Sequence, residues 1–446
     1  MSIIHQEPIC ALATAPGIGA IGVIRISGEN AIQIVDKIFK GKKLANAASH
    51  TAHFGLIQDG QKVIDEVLAT VFKSPKSFTK EDTVEISCHG SPFIAKEIIK
   101  LLIKSGSKLA QPGEFTQRAF LNGQFDLVQA EAVADLIEAD SSAAHLTAIN
   151  QLRGGFSDHL KALREELIHF ASLVELELDF GEEDVEFADR DDLKKLISAI
   201  QNQLHPLIDS FDAGNVIKEG IPVAIIGQPN VGKSTLLNAL LKEEKAIVTE
   251  IAGTTRDSIE DTMVIKGVKF RFIDTAGIRS TEDVVESIGI EKSKSVLNKA
   301  AIVLFLYDQE AERDYLLEHF EALTKDKKVF WIKTKSDLNS VVKNKADLLI
   351  SAKEGKGISQ LETALYDVAE GNKQGDLVLT NLRHFDLLVK TNEALSEVLN
   401  GLEMGITGDF LAQDIRLALH HLGELTGTIT SDDLLKNIFG RFCIGK

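Results

Sequence analysis

The octapeptide Gly227-Gln228-Pro229-Asn230-Val231-Gly232-Lys233-Ser234 holds the residues best suited to chemistry in this chain. Its spacing is that of a phosphate loop: glycines that let main-chain N–H groups approach an anion, a lysine for the β and γ oxygens, and a hydroxyl for Mg²⁺. Further on, the polar loop Ile251-Ala252-Gly253-Thr254-Thr255-Arg256-Asp257 offers the Thr255 hydroxyl as a second Mg²⁺ ligand that responds to a γ-phosphate, as a first switch does. Asp274-Thr275-Ala276-Gly277 places a carboxylate where it would reach the metal through water. In Thr334-Lys335-Ser336-Asp337, the aspartate can accept two hydrogen bonds from the N1 and N2 hydrogens of guanine, which adenine does not offer. Ser351-Ala352-Lys353 would close over the base.

Each of these stretches is short, but four in this order, each after an apolar strand-like run, predict GTP binding and exclude an idle glycine-rich turn. Two departures bear on strength and rate. Thr334 stands where translational GTPases usually carry asparagine, so weaker guanine affinity is expected, with specificity kept by Asp337. Ile278 stands where a Ras-like protein has its water-orienting glutamine, leaving Glu282, Asp283, Glu286 and Glu291 as open alternatives for that job. Arg256 and Arg279 are not assigned as arginine fingers. The Asn230 carbonyl oxygen could instead seat a monovalent cation against the phosphates and supply the positive charge.

The elements that must position these residues are legible as changes of period. Val223-Ala224-Ile225-Ile226 before the loop reads as a buried strand, and Leu236-Leu237-Asn238-Ala239-Leu240 after it as an amphipathic helix. Strand-like Ile221–Gly227, Lys269–Asp274, Ala301–Tyr307 and Lys328–Lys333 alternate with helical stretches, giving an α/β GTPase domain over residues 216–372. Residues 1–118 mix strands at Ile21–Ile26, Lys62–Phe72 and Thr83–Ser87 with helices at Asn30–Phe39 and Pro92–Ile103, an α+β domain. Residues 119–215 and 373–446 show the helical period only, with one helix near Arg190–Phe211, so the α/β unit reads as an insertion into a helical domain whose tail packs back on its first part. The expected fold class is therefore multidomain α/β. The acidic break Asp179-Phe180-Gly181-Glu182-Glu183-Asp184 reads as solvated surface rather than a metal site.

The 446 residues carry 49 basic and 66 acidic side chains, a net charge of −17, which excludes RNA binding by bulk counterion release; a basic patch or a partner would have to supply the grip. No apolar run approaches the ~20 residues of a membrane helix, and the start lacks a signal peptide, so a cytoplasmic protein without membrane contact is expected. The cysteines Cys10, Cys88 and Cys443 share no metal-ligand spacing, and Gly445 and Lys446 argue against a prenylation box around Cys443.

Arg25-Ile26-Ser27-Gly28, Ser77-Phe78-Thr79-x-Glu81-Asp82, His89-Gly90, the run from Pro112 through Glu114, Phe115, Thr116 and Arg118 to Asn122, Gly253–Asp257 and the terminal Phe442-Cys443-Ile444-Gly445-Lys446 closely resemble the MnmE (TrmE) family of tRNA-modification GTPases. The resemblance spans essentially the entire chain. It implies a homodimer joined through an amino-terminal, tetrahydrofolate-binding-like domain. It also implies a heterotetramer or larger assembly with an FAD-dependent MnmG-type protein, which contacts most of the tRNA and with which the family forms 5-aminomethyl or 5-carboxymethylaminomethyl uridine at the wobble position U34. The one-carbon unit would come from a 5-formyl or 5,10-methylene tetrahydrofolate bound at Arg25, Glu85, Gln124 and Lys446. Most members carry a basic residue where Gln124 stands.

The resemblance further implies GTP contacts at Asn230, Val231, Gly232, Lys233, Ser234 and Thr235, at Thr249, Glu250, Ile251, Ala252, Gly253, Thr254 and Thr255, at Asp274, Thr275, Ala276 and Gly277, and at Thr334, Lys335, Asp337, Ser351, Ala352 and Lys353. Mg²⁺ would be held by Ser234 and Thr255, K⁺ by Asn230, Thr249, Ile251 and Thr254, and the attacking water by Glu286. The alternative is a regulatory or assembly GTPase whose amino-terminal domain is only a dimerisation scaffold.

Overall fold

Period-two burial along one segment and a 3.6-residue period along the next divide the chain into strands and helices, here placed by a computed structural model that describes residues 7–179, 190–243, 261–273, 286–337, 346–370, 378–406 and 408–445. The strands are β1 (Ile9–Leu12), β2 (Ile21–Ser27), β3 (Phe39–Gly41), β4 (Thr51–Asp59), β5 (Lys62–Phe72), β6 (Thr83–His89), β7 (Lys108–Leu109), β8 (Ile221–Gly227), β9 (Asp261–Ile265), β10 (Val268–Phe272), β11 (Ile302–Tyr307), β12 (Lys328–Lys333) and β13 (Leu348–Leu349). The helices are α1 (Ala31–Ile38), α2 (Pro92–Ser105), α3 (Glu114–Leu121), α4 (Leu127–Glu138), α5 (Ser142–Leu152), α6 (Gly155–Asp179), α7 (Arg190–Asp209), α8 (Phe211–Glu219), α9 (Lys233–Glu243), α10 (Glu286–Lys299), α11 (Glu310–Phe320), α12 (Ile358–Glu370), α13 (Leu382–Met404), α14 (Gly408–Thr426) and α15 (Asp432–Phe439). Among the described residues no helix is long and apolar enough to cross a membrane.

One compact unit comprises residues 1–137, 150–196 and 393–446. Its sheet runs β3-β4-β5-β6-β2-β1-β7, antiparallel throughout except where β7 joins β1 in parallel. Helices α1 and α2 cover one face, where Ile24, Ile26, Val84 and Ile86 are buried with Val35, Ile98 and Leu102. Alternation then sends Glu85, Ser87 and His89 of β6 to the opposite face. Strand β4 carries little of the expected apolar alternation, since Ala52 and Phe54 are exposed and Gly55 is buried, and the sequence reading did not place it. In the same unit α6 packs along α14, and both contribute buried stripes, Leu160, Leu163, Leu167 and Val174 from one and Leu411, Ile415, Ala418 and Leu422 from the other. The tail after the α/β segment thus returns to the helical region before it.

The second unit comprises residues 138–149 and 197–392. Its sheet runs β13-β12-β11-β8-β10-β9, parallel except for the edge strand β9. Strands β8 and β11 are apolar on both faces because helices cover both. Val223, Ile225, Leu304 and Leu306 pack with Leu236, Leu237, Leu240, Leu361 and Leu365 on one side. Ala224, Ile226, Val303 and Phe305 pack with Leu297, Leu316 and Phe320 on the other. Helix α7, Arg190–Asp209, fills the helix expected near Arg190–Phe211, and a further helix, α8, begins at Phe211 after Ser210.

Candidate functional site

The central strand β8 delivers the phosphate loop to the carboxyl end of the parallel sheet, where ligands bind in such folds. A Cβ on Gly227 would lie 2.6 Å from the Leu306 carbonyl oxygen, so only glycine lets β8 end this close to β11. Asn230 (φ 63°) and Gly232 (φ 107°) curl the loop through the left-handed region, and α9 starts at Lys233, so the positive end of its dipole meets the loop. The Lys233 ammonium donates to the carbonyl oxygens of Gly227 (2.8 Å) and Gln228 (2.9 Å). Burial pushes its pKa below the ordinary lysine value, and the charge of Glu312 opposes that shift. Two neutral acceptors hold this cation; phosphate oxygens would offer it charged ones, a stronger class of partner. Loop, lysine and helix start therefore fit a nucleotide triphosphate.

The base side is tied to the same loop. Thr334 is buried, and its hydroxyl donates to the Val231 carbonyl oxygen at 2.7 Å, while its amide donates to Tyr307 O at 2.9 Å. The threonine thus joins the end of β12 to the phosphate loop itself. Lys335, in a left-handed conformation (φ 53°), pairs with Asp308 at 3.1 Å. Asp337 lies exposed, and hydrogen bonding from the Ser351 side chain, then its own amide, then the charges of Lys353 and Lys356, hold its carboxyl below the usual aspartate range. Ser336 N donates to Ile350 O, which stitches the two base-side stretches together, and Ser351 N donates to Lys356 O within the second. Asn230, Thr235 and Lys353 are exposed, and Ser234 and Ala352 half-buried.

Thr249, Glu250, Ile251, Ala252, Gly253, Thr254, Thr255, Asp274, Thr275, Ala276, Gly277 and Lys446 lie outside the described residues, as do Glu282 and Asp283. Glu286 is the first residue of α10, and Glu291 lies exposed one turn further on.

On the open face of the amino-terminal sheet, Arg25 and Glu85 stand opposite each other in the β2–β6 register. Arg25 Nε and Nη2 reach Glu85 Oε1 at 2.9 and 2.8 Å. The guanidinium also lies 5.4 Å from the Phe78 ring centre and 5.6 Å from that of Phe115, within range of a cation–π contact. Gln124 lies exposed just beyond α3. Beside this pair runs a network that sequence reasoning did not identify. Arg118, 4% exposed, donates to Glu114 Oε1 (2.8 Å) and Glu7 O (2.9 Å), and reaches Glu81 Oε1 at 3.4 Å. Glu81 Oε2 in turn accepts from Ser27 Oγ at 2.8 Å, and Ser27 Oγ meets Thr79 Oγ1 at 2.7 Å. The i, i+4 spacing of Glu114 and Arg118 was the available signal. At the end of β6, the buried Asp65 carboxylate accepts from His89 N (2.8 Å) and His89 Nδ1 (2.7 Å), while the imidazole is 70% exposed.

Two family models match the chain: one described as GTP-binding protein TrmE N-terminus over residues 8–124, and one described as MnmE helical domain over residues 127–443. Curated relatives match over the full length. The chain is 54% identical to the tRNA modification GTPase MnmE of Cytophaga hutchinsonii, covering 99% of this chain and 98% of that protein. It is 52% identical to the protein of the same name from Christiangramia forsetii, with 99% of each covered, and 51% identical to that of Flavobacterium psychrophilum, with 100% of each covered.

Proposed function

This chain belongs to the MnmE family of tRNA modification GTPases, and from that premise we propose that its GTP hydrolysis drives a folate-dependent modification of the wobble uridine of tRNA, carried out with an FAD-dependent MnmG-type partner. The observation that carries the nucleotide half is the phosphate loop: Lys233 sits over carbonyl oxygens that a triphosphate would replace, and Thr334 fastens the loop to the guanine-reading strand end. Ser234 and Thr255 would hold Mg²⁺, which when bound neutralises charge on the β and γ oxygens. The chain's own groups do the rest. Lys233 orients the phosphates, Asp337 accepts from guanine, Glu286 at the head of α10 orients the attacking water, and Asn230 with Thr249, Ile251 and Thr254 seats a potassium ion in place of an arginine finger. Calorimetry tests this half: GTP uptake should disappear in a Lys233→Ala, Ser234→Ala double variant, and undiminished uptake refutes it.

The modification half is supported by the open sheet face, where Arg25, Glu85 and two phenylalanine rings converge. That face, with Gln124 and the carboxyl-terminal Lys446, would hold a 5-formyl or 5,10-methylene tetrahydrofolate in a homodimer. The Arg25–Glu85 pair also favours the second reading, because the two charges satisfy each other within the chain, as in a plain cross-strand ion pair on a dimerisation scaffold. An Arg25→Ala variant separates them. Normal dimerisation and GTP turnover with no modified U34, measured by nucleoside mass spectrometry, supports folate chemistry; full modification supports the scaffold.

A further inference from the structure

The end of β11 carries a carboxylate that belongs to none of the four nucleotide motifs. Asp308 follows Tyr307, the last residue of that strand, and its Oδ2 lies 3.1 Å from the ammonium of Lys335, 27 residues further along the chain. The two strand ends are in register. Tyr307 pairs with Lys333 across β11 and β12, and Thr334 N then donates to Tyr307 O at 2.9 Å, so Asp308 and Lys335 meet just beyond the carboxyl edge of the sheet. Asp308 is itself held: its amide donates to Glu312 Oε2 at 2.8 Å, and the same carboxylate accepts from Gln309 N at 3.4 Å as α11 begins. The start of a helix fixes the aspartate, and the aspartate fixes the lysine.

Stability does not account for this pair. Lys335 takes a left-handed backbone (φ 53°), where a residue with a Cβ is strained. The pair is 39% exposed at the lysine side chain and 18% at the aspartate, and ion pairs that water reaches add little to stability. Strain kept for so small a return is characteristic of ligand sites. Lys335 stands two positions before Asp337 and one after Thr334, whose hydroxyl holds the Val231 carbonyl of the phosphate loop. It therefore leaves the chain between the carboxylate proposed to read guanine and the tether to the phosphates.

We propose that Asp308 is a positioning residue for the nucleotide base: by holding the Lys335 ammonium it lays the lysine's methylene stem as a fixed apolar shelf against the face of the purine ring, while Asp337 reads the ring's edge. This rests on the GTP-binding reading above. A tethered stem has little rotamer freedom left to lose when the ring arrives, which is how the aspartate raises affinity. A shelf meets any flat purine and is indifferent to its substituents. Asp308 thus strengthens binding without choosing the base, and it takes no part in phosphoryl transfer.

The test is a double-mutant cycle on the full chain, read by calorimetry with GDP. Asp308→Ala should weaken GDP ~10-fold, the lower end of what a hydrogen bond to a charged group contributes, and Asp308→Asn, which keeps an acceptor, about threefold. Added to Lys335→Ala, Asp308→Ala should cost no more than about twofold further, because the aspartate acts only through that lysine. Preference for GDP over IDP, which lacks the 2-amino group that Asp337 would accept from, should keep its wild-type value in the Asp308 variants. In GTP hydrolysis these variants should raise KM with kcat held within about twofold, a split that a collapsed site would not show. Wild-type affinity in Asp308→Ala, losses that add in the double variant, an altered GDP preference, or a fall in kcat at unchanged KM each overturn the proposal. Wild-type protein that binds no GDP would instead defeat the GTP-binding reading.

Discussion

Thr334 shows how one side chain can set both stability and affinity. Its hydroxyl is buried and donates to the Val231 carbonyl, so a Thr334→Val substitution keeps the shape and leaves a buried acceptor unpaired, at a cost of about 1–3 kcal/mol. Because that acceptor belongs to the phosphate loop, part of the cost should appear as ~10-fold weaker GTP binding by calorimetry, with preference over ATP unchanged since Asp337 is untouched. A loss for GTP well beyond that for ATP, so that the preference closes, would place base discrimination on Thr334 instead. A sequence reading could see that Thr334 departs from the usual asparagine, but its partner is 103 residues away, so the bond itself was not legible.

Cys88 offers a second residue-scale prediction. Burial, aided by the Asp65 charge, pushes its thiol up to about 11 from an ordinary 9.0. The unfolded chain therefore releases this proton first as pH rises, so the contribution of Cys88 is intact below pH 9 and is lost between 9 and 11. Thermal melts of wild type and Cys88→Ala should diverge in slope over that window and run parallel below it. At pH 8 an alkylating reagent should label the exposed Cys443 first, with the buried Cys10 and Cys88 reacting only on unfolding.

At the scale of elements, strands buried on both faces were readable because they are continuous apolar runs: β8 and β11 fall where the sequence placed them, β11 starting one residue later than expected. What stayed hidden was how separate motifs join. Ser27 ends β2, Thr79 and Glu81 lie in the turn before β6, and Glu114 and Arg118 lie on α3, yet they form one buried polar network. Each motif alone reads as a short polar stretch with no evident role; together they dock α3 beside the Arg25 face. Removing the shared cation should be severe. Arg118→Ala leaves Glu81 and Glu114 without their buried counter-charge, a loss of about 3–5 kcal/mol. The amino-terminal unit should melt earlier, while GTP binding by the other unit, followed in the same sample with a fluorescent nucleotide, should survive. A variant that melts with wild type would show that solvent can satisfy the network.

At the scale of the whole molecule, charge decides how RNA can be held. With 66 acidic against 49 basic residues, the chain repels a polyanion at long range, and screening shortens that repulsion without reversing it. If the FAD partner carries most of the tRNA contact, as proposed, the two binding reactions must differ in their response to salt. Each phosphate neutralised adds roughly −0.9 to the slope of log K against log salt on duplex, so the chain alone should give a shallow slope worth one or two contacts. Adding the partner should steepen it by several. Fluorescence anisotropy of labelled tRNA in NaCl from about 50 to 200 mM measures both, since six or more contacts would cost ~10³-fold over that range. A steep slope for the chain alone would move the RNA grip onto this protein, and the exposed lysines Lys40, Lys42 and Lys43 at the edge of the amino-terminal sheet would be the first residues to exchange for alanine.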